Sequence, residues 1–266
     1  MKNLKSYIGL VCTVTLAVSC NNVLDTSPTN ILTDNHVWSS KNAIDAYMGQ
    51  LYDEMQVEDL EYHIESEGQY LSEFTDEAVR SYTWGRANYA LIPEGVFGWW
   101  GYQQVRNINT LLGNINNAAA LTPEERKVYE AEARFCRAMN YFAMVKRYGG
   151  VPLVTVAQKY DGGDVKTLQL PRSKEYEIYD FIKDECQAIQ SMLPESREGE
   201  DLYRATRYAA YALECRAMLY AASEAKYGNV DLNELIGIPA EKAEGYWKAA
   251  RAAAEKIINS GKYALY

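Results

Sequence analysis

Histidine is almost missing. The chain of 266 residues holds two, His36 and His63, and neither has a Ser or Cys nucleophile pattern beside it. A catalytic triad or a histidine-built metal site would have to be made from these two alone. Cysteine is also sparse, with five residues and neither a CxxC pair nor a Cys/His cluster, which excludes a zinc ribbon and a dense disulfide framework. Basic residues are outnumbered, 27 Lys and Arg against 36 Asp and Glu, for a formal charge of −9. Nucleic-acid binding calls for a basic surface and finds none in that balance. Gly98-x-x-Gly101 and Gly149-Gly150 are not followed by Lys-Ser/Thr, so no phosphate loop is present. Asp76 and Glu77 are adjacent. On a helix they would point about 100° apart and could not flank one glycosidic bond without help from another element. No cofactor, metal or reaction is implied, and an enzyme such as a glycosidase is the least supported class.

Long apolar runs are scarce as well. Tyr7 to Val18 stands out, and it falls short of the roughly 20 residues that span a bilayer. It follows Lys2 and Lys5 and ends in Leu16-Ala17-Val18-Ser19-Cys20, with polar Asn21 and Asn22 next. A basic start, a short apolar core and small residues before a cysteine make residues 1–19 a bacterial lipoprotein signal peptide. Cleavage would leave Cys20 first, carrying acyl chains, and several chains on one terminus anchor firmly. An ordinary secretory signal with a coincidental Cys is the alternative; Leu16 stands four residues before Cys20, where the commonest lipobox has it three before. Cys12 would leave with the signal. The remaining Cys136, Cys186 and Cys215 are odd in number, lie within helical patterns, and read as buried free thiols.

What the chain does have is helical periodicity. Thr122 followed by Pro123 and Glu125 is a capping box with proline in the first turn. Phe135, Ala138, Met139, Phe142 and Val145 recur at helical spacing, Tyr141, Met144 and Tyr148 lie off that stripe, and Gly149-Gly150 stops the run. This predicts one long helix packed on more than one side. Its core, Cys136-Arg137-Ala138-Met139-x-Tyr141-x-Ala143 with Tyr148-Gly149, recurs as Cys215-Arg216-Ala217-Met218-x-Tyr220-x-Ala222 with Tyr227-Gly228, an offset of 79 (215 − 136). That is about two tetratricopeptide-type hairpins of roughly 34 residues each. Chance similarity between two Ala-rich helices is the other explanation.

Other helices follow from the same reading. One runs from Ser40 to Leu51. A second carries Val105, Ile108, Leu112 and Ile115 on its apolar side, with Asn107, Asn109 and Asn114 opposite. A third is capped by Ser173 and faced by Tyr179, Ile182, Cys186 and Ile189. The last is faced by Trp247, Ala250, Ala254, Ile257 and Ile258 and closed by Gly261. Asn21 to His36 is a polar tether, and Gly68 to Phe97 an aromatic, polar loop. The fold class is all-α: a tetratricopeptide-like helix-hairpin framework with irregular ligand-bearing loops.

In this order, Trp100–Asn114, Glu132–Leu153, Leu170–Pro194, Arg204–Ser223 and Ala249–Leu265, preceded by Cys20 and Leu24-Asp25-x-x-Pro28, resemble the successive signatures of SusD/RagB proteins. The resemblance implies a surface lipoprotein of the outer membrane, facing the exterior. Such a protein binds oligosaccharide or another nutrient and acts with a TonB-dependent, SusC-like transporter. It divides the chain into a signal at 1–19, a lipid-anchored tether at 20–38 and a SusD-like N-terminal helical domain at 39–266. Members are usually about twice this length, so the second half of the family fold is expected to be absent and glycan affinity to be millimolar at best.

Sugars offer flat C–H faces and a rim of hydroxyls, which aromatic rings and Asn, Asp, Arg or Tyr side chains match. The stretch from Asp76 to Trp100 supplies both kinds of group. The expected contacts are Trp84 and Asn88, then Tyr82 and Arg86; the alternative is that these aromatics plug the loop onto the helices, the role expected of Trp99 and Trp100. Two functions stand: a glycan-capturing lipoprotein that delivers oligosaccharide to its transporter, and a helical-repeat scaffold that only docks a partner.

Overall fold

The computed structural model describes residues 37–56 and 98–265. Six α-helices run through them: α1 (Lys41–Asp53), α2 (Tyr102–Asn114), α3 (Pro123–Tyr148), α4 (Glu175–Ile189), α5 (Arg207–Tyr227) and α6 (Ala243–Ile258). Among the described residues there is no β-strand, only a lone bridge between Asp231 and Ile236.

Helix α3 is the axis. The Glu125 amide donates to Thr122 Oγ1 at 3.2 Å, and the Thr122 amide donates to Glu125 Oε2 at 2.8 Å, which closes the capping box. At the other end Gly149 turns left-handed at φ 68° and its amide reaches Val145 O at 2.8 Å. Gly150 is required for a different reason: a Cβ there would lie 1.9 Å from the Ser173 carbonyl oxygen. One side of α3 (Tyr129, Ala133, Cys136) closes a core with Ile44, Met48 and Leu51 of α1 and Ile108 and Leu111 of α2. The other side (Ala138, Tyr141, Phe142, Val145) shares a larger core with α4, α5 and α6. A helix between two cores has no polar face along its middle, which explains the off-stripe aromatics. Fully burying a side chain such as Phe142 contributes roughly 1.5–3 kcal/mol before entropy is counted.

The connection from Gly149 to Lys174 starts extended yet fixed, because side chains of α2 and α3 take up the backbone groups of Pro152, Val154 and Thr155. The Tyr141 hydroxyl accepts from the Val154 amide at 2.7 Å and donates to Val154 O at 3.1 Å. Tyr102 Oη donates to Pro152 O, Asn109 Nδ2 to Val154 O at 2.9 Å and Arg137 Nη1 to Thr155 O at 3.1 Å.

Five local expectations are corrected. The repeat is one enlarged hairpin, not two short ones: α3 and α5 are separated only by α4 and its two long connections. Its two copies diverge in setting, since Ala138 and Ala217 are both fully buried but Tyr141 is buried where Tyr220 is 41% exposed. Asn109 is not on the polar side of α2; it is buried and accepts from Arg137 Nη1 at 2.8 Å. Lys174, not Ser173, precedes the first turn of α4, because the Ser173 amide is drawn back to Val151 O at 3.0 Å. Cys215 is half-buried, unlike Cys136 and Cys186. Helix α6 is turned by one residue from its expected face and buries Ala243, Tyr246, Ala250 and Ala253. It lies on the alanine-rich α5, and close approach of small residues selects the smaller of two possible stripes. Ile258 is left 70% exposed and Trp247 outside.

Candidate functional site

The five residues singled out from the sequence, Cys20, Tyr82, Trp84, Arg86 and Asn88, lie outside the described residues. What the structure does show is the end of the 76–100 stretch, residues 98–100, where it meets the framework. Trp99 and Trp100 stand there with opposite roles. The Trp99 amide donates to the Tyr148 hydroxyl at 2.6 Å, and its ring packs against the larger core. Its indole lies over Gly101, where an added Cβ would meet Trp99 Cη2 at 2.3 Å and Asn140 Oδ1 at 2.4 Å. Asn140 in turn donates to Gly101 O at 3.1 Å and to Gln104 Oε1 at 2.8 Å. Glycine at 101 thus lets α2 start directly against α3.

Trp100 points the other way and is 56% exposed. Tyr102 supports its ring at 4.9 Å between centroids, and Tyr148 meets it edge-on at 5.1 Å. Both supports are themselves held, Tyr102 by Pro152 O and Tyr148 by the Trp99 amide. Burial is the main cause that raises the Tyr102 phenol above its ordinary value, so it stays neutral. Arg172 closes the cluster at the end of α3, donating to Tyr148 O and Gly150 O at 2.6 Å each. The result is a fixed aromatic face with a guanidinium nearby, suited to stacking a flat apolar ligand surface. Trp99 therefore plugs the loop end as expected, while Trp100 departs from that expectation and presents its ring. The adjacent pair of tryptophans was visible in the sequence; which one faces out depends on the supports from α3.

Charge is handled inside the framework. Fully buried Glu132 accepts from Arg197 Nη2 at 2.5 Å, Arg204 Nε at 2.6 Å and Tyr52 Oη at 3.0 Å. Glu185 is shared by Arg134 and Arg137 at 2.8 Å each. Among the described residues no group of His, Cys, Asp and Glu could hold a metal ion, and no helix is long and apolar enough to cross a membrane.

The described residues thus form a helical-hairpin framework with a fixed aromatic face just before α2. The comparisons name its family. Residues 22–219 match the SusD-like family described as "starch-binding associating with outer membrane", and the chain belongs to that family. It is 29% identical over 106 residues to SusD-like protein P2 of Formosa agariphila, covering 39% of this chain and 20% of that protein. A SusD homolog from Bacteroides thetaiotaomicron shares the fold at a TM-score of 0.62 and 22% identity, covering 88% of this chain and 44% of that one. Surface glycan-binding protein A from Bacteroides fluxus does so at 0.56 and 19%, covering 86% and 45%. The chain spans less than half the length of these relatives.

Proposed function

We propose that this protein binds oligosaccharide at the bacterial surface and passes it to a TonB-dependent, SusC-like transporter in the outer membrane, to which acyl chains on Cys20 hold it. Membership of a starch-binding, outer-membrane-associated family supports the glycan and the membrane. The observation that carries the reading to particular residues is Trp100, held rigid and 56% exposed where the 76–100 stretch rejoins the helices. A ring fixed before binding loses little freedom when a sugar stacks on it. Trp84 and Asn88, with Tyr82 and Arg86, are proposed to supply further stacking and hydroxyl contacts. The role is capture, not catalysis.

Calorimetry of the protein from residue 21 against a panel of oligosaccharides tests the ligand. Binding by at least one glycan, weakened in both Trp100→Ala and Trp84→Ala, is expected; a folded protein that binds none of the panel sinks the glycan reading. Anchoring is tested separately. Wild type should incorporate labelled fatty acid and Cys20→Ala should not, leaving the membrane fraction or retaining its signal.

A further inference from the structure

A cleft of about 890 Å³ opens between α1, the first turns of α3 and the loop before α5. That lies within the roughly 300–1,000 Å³ typical of small-molecule sites. Lys41, Asp45, Met48 and Tyr52 line it from one face of α1, at helical spacing. Tyr129 and Arg204 form the floor, and the far wall is the loop carrying Glu198, Glu200, Asp201 and Tyr203.

The floor is rigid. Arg204 is tied at once to Glu132 at 2.6 Å, Asp201 at 2.8 Å and Asp45 at 3.3 Å. Its guanidinium lies 4.9 Å from the centre of the Tyr129 ring, and the Tyr129 hydroxyl donates to Asp45 Oδ1. The residue next to this anchor, Tyr203, is 92% exposed. The chain there sets a bare aromatic ring beside hydrogen-bond acceptors.

The charge of the lining narrows the ligand. Its two cations are already committed, Lys41 to Glu125 at 2.5 Å and Arg204 to Glu132. The carboxylates outnumber them: Asp45 and Asp201, which are tied to Arg204, and Glu198 and Glu200, which are not. Carboxylates accept hydrogen bonds from hydroxyl groups and repel sulfate or uronate. We infer that this cleft is a second saccharide subsite for a neutral oligosaccharide, with Tyr203 as stacking face and Glu198 and Glu200 as hydroxyl acceptors. It is separate from the Trp100 face. Tyr129 and Tyr148, which mark the two places, are about 19 residues apart on α3, or about 28 Å along the helix. The inference rests on the reading of the protein as a glycan binder.

The test uses the full chain with labelled tyrosine rings, titrated with maltoheptaose and cellohexaose by NMR while tryptophan fluorescence reports on the Trp100 end. A saturable shift of the Tyr203 ring signals is expected with at least one of the two glycans. It should persist in Trp100→Ala and weaken by about tenfold or more in Glu200→Lys. Tyr203→Ala, at a position too exposed to affect folding, should remove the same binding event from the calorimetric stoichiometry. Tyr203 signals that stay fixed while tryptophan fluorescence responds would overturn the second subsite and leave the glycan reading intact. A folded chain in which neither responds overturns both. Tighter binding of an acidic oligogalacturonate than of the neutral chains at Tyr203 would overturn the assignment of ligand class.

Discussion

Arg204 Nε lies 2.6 Å from Glu132 Oε2, and the Glu132 side chain has no contact with solvent. The pair joins α3 to the loop before α5, 72 residues further along the chain, with α4 between them. Arg197 holds the second oxygen of the same carboxylate at 2.5 Å. Removing one partner of such a group leaves a buried charge without compensation, at roughly 3–5 kcal/mol. Glu132→Gln should therefore lower the denaturation midpoint sharply, because both guanidiniums lose their counter-charge. A midpoint within experimental error of wild type would show that water reaches the site and screens it.

The two copies of the repeated helix meet their neighbours through alanine. Ala138 and Ala217 are fully buried at matching positions of α3 and α5. Leucine at either place has to push a neighbouring helix away, and overpacking of this kind costs roughly 1–3 kcal/mol. Thermal melts of Ala138→Leu and Ala217→Leu check it. Unchanged melting in both would mean that those faces are looser than their burial indicates.

Glu175 makes stability depend on pH near neutrality. Burial is the main cause that lifts its carboxyl from 4.5 to about 7; the Gly237 amide, donating at 2.7 Å, opposes the shift, and nearby Glu224 adds to it. The native state then holds the proton more tightly than the unfolded chain does. Its contribution is fully present below pH 4.5 and is lost as pH rises through about 7. Glu175→Gln removes the charge and keeps an acceptor for Gly237. It should raise stability relative to wild type at pH 8, by of order 1–2 kcal/mol after screening, and change little at pH 5. A difference of equal size at both values would assign the effect to packing instead.

The helices and the capping of α3 were legible in the sequence because they depend on neighbours within a turn or two: Thr122 with Glu125, Val145 with Gly149. What was not legible depends on partners far along the chain. Asn109 reads as polar surface until Arg137 and Val154 arrive to bond it. Trp247 and Ile258 read as core until the alanines of α5 draw the smaller stripe of α6 inward. The family was readable from ordered motifs across the chain, whereas the outward turn of Trp100 required Tyr102 and Tyr148 to be in place. The cleft beside Tyr203 joins α1 to a loop more than a hundred residues later, a distance at which no spacing rule operates.

The adjacent tryptophans give the sharpest separation of stability from binding. Trp99 packs on the core over Gly101, and Trp100 is 56% exposed. Truncating the partly buried indole of Trp99 should cost about 1–3 kcal/mol, since part of its area and its cover over Gly101 are lost. Truncating Trp100 loses two ring contacts, worth about 0.5–1.5 kcal/mol each at most and less in water. Binding should follow the opposite order. Trp100→Ala removes the stacking face and should weaken oligosaccharide binding by about tenfold or more. Trp99→Ala, measured at a temperature where it remains folded, should bind within a few-fold of wild type. Melting curves and calorimetry on the same two preparations decide the matter. If Trp99→Ala abolished binding at unchanged melting temperature while Trp100→Ala bound normally, the inner ring would be the ligand's partner and the assignment of the two tryptophans would have to be exchanged.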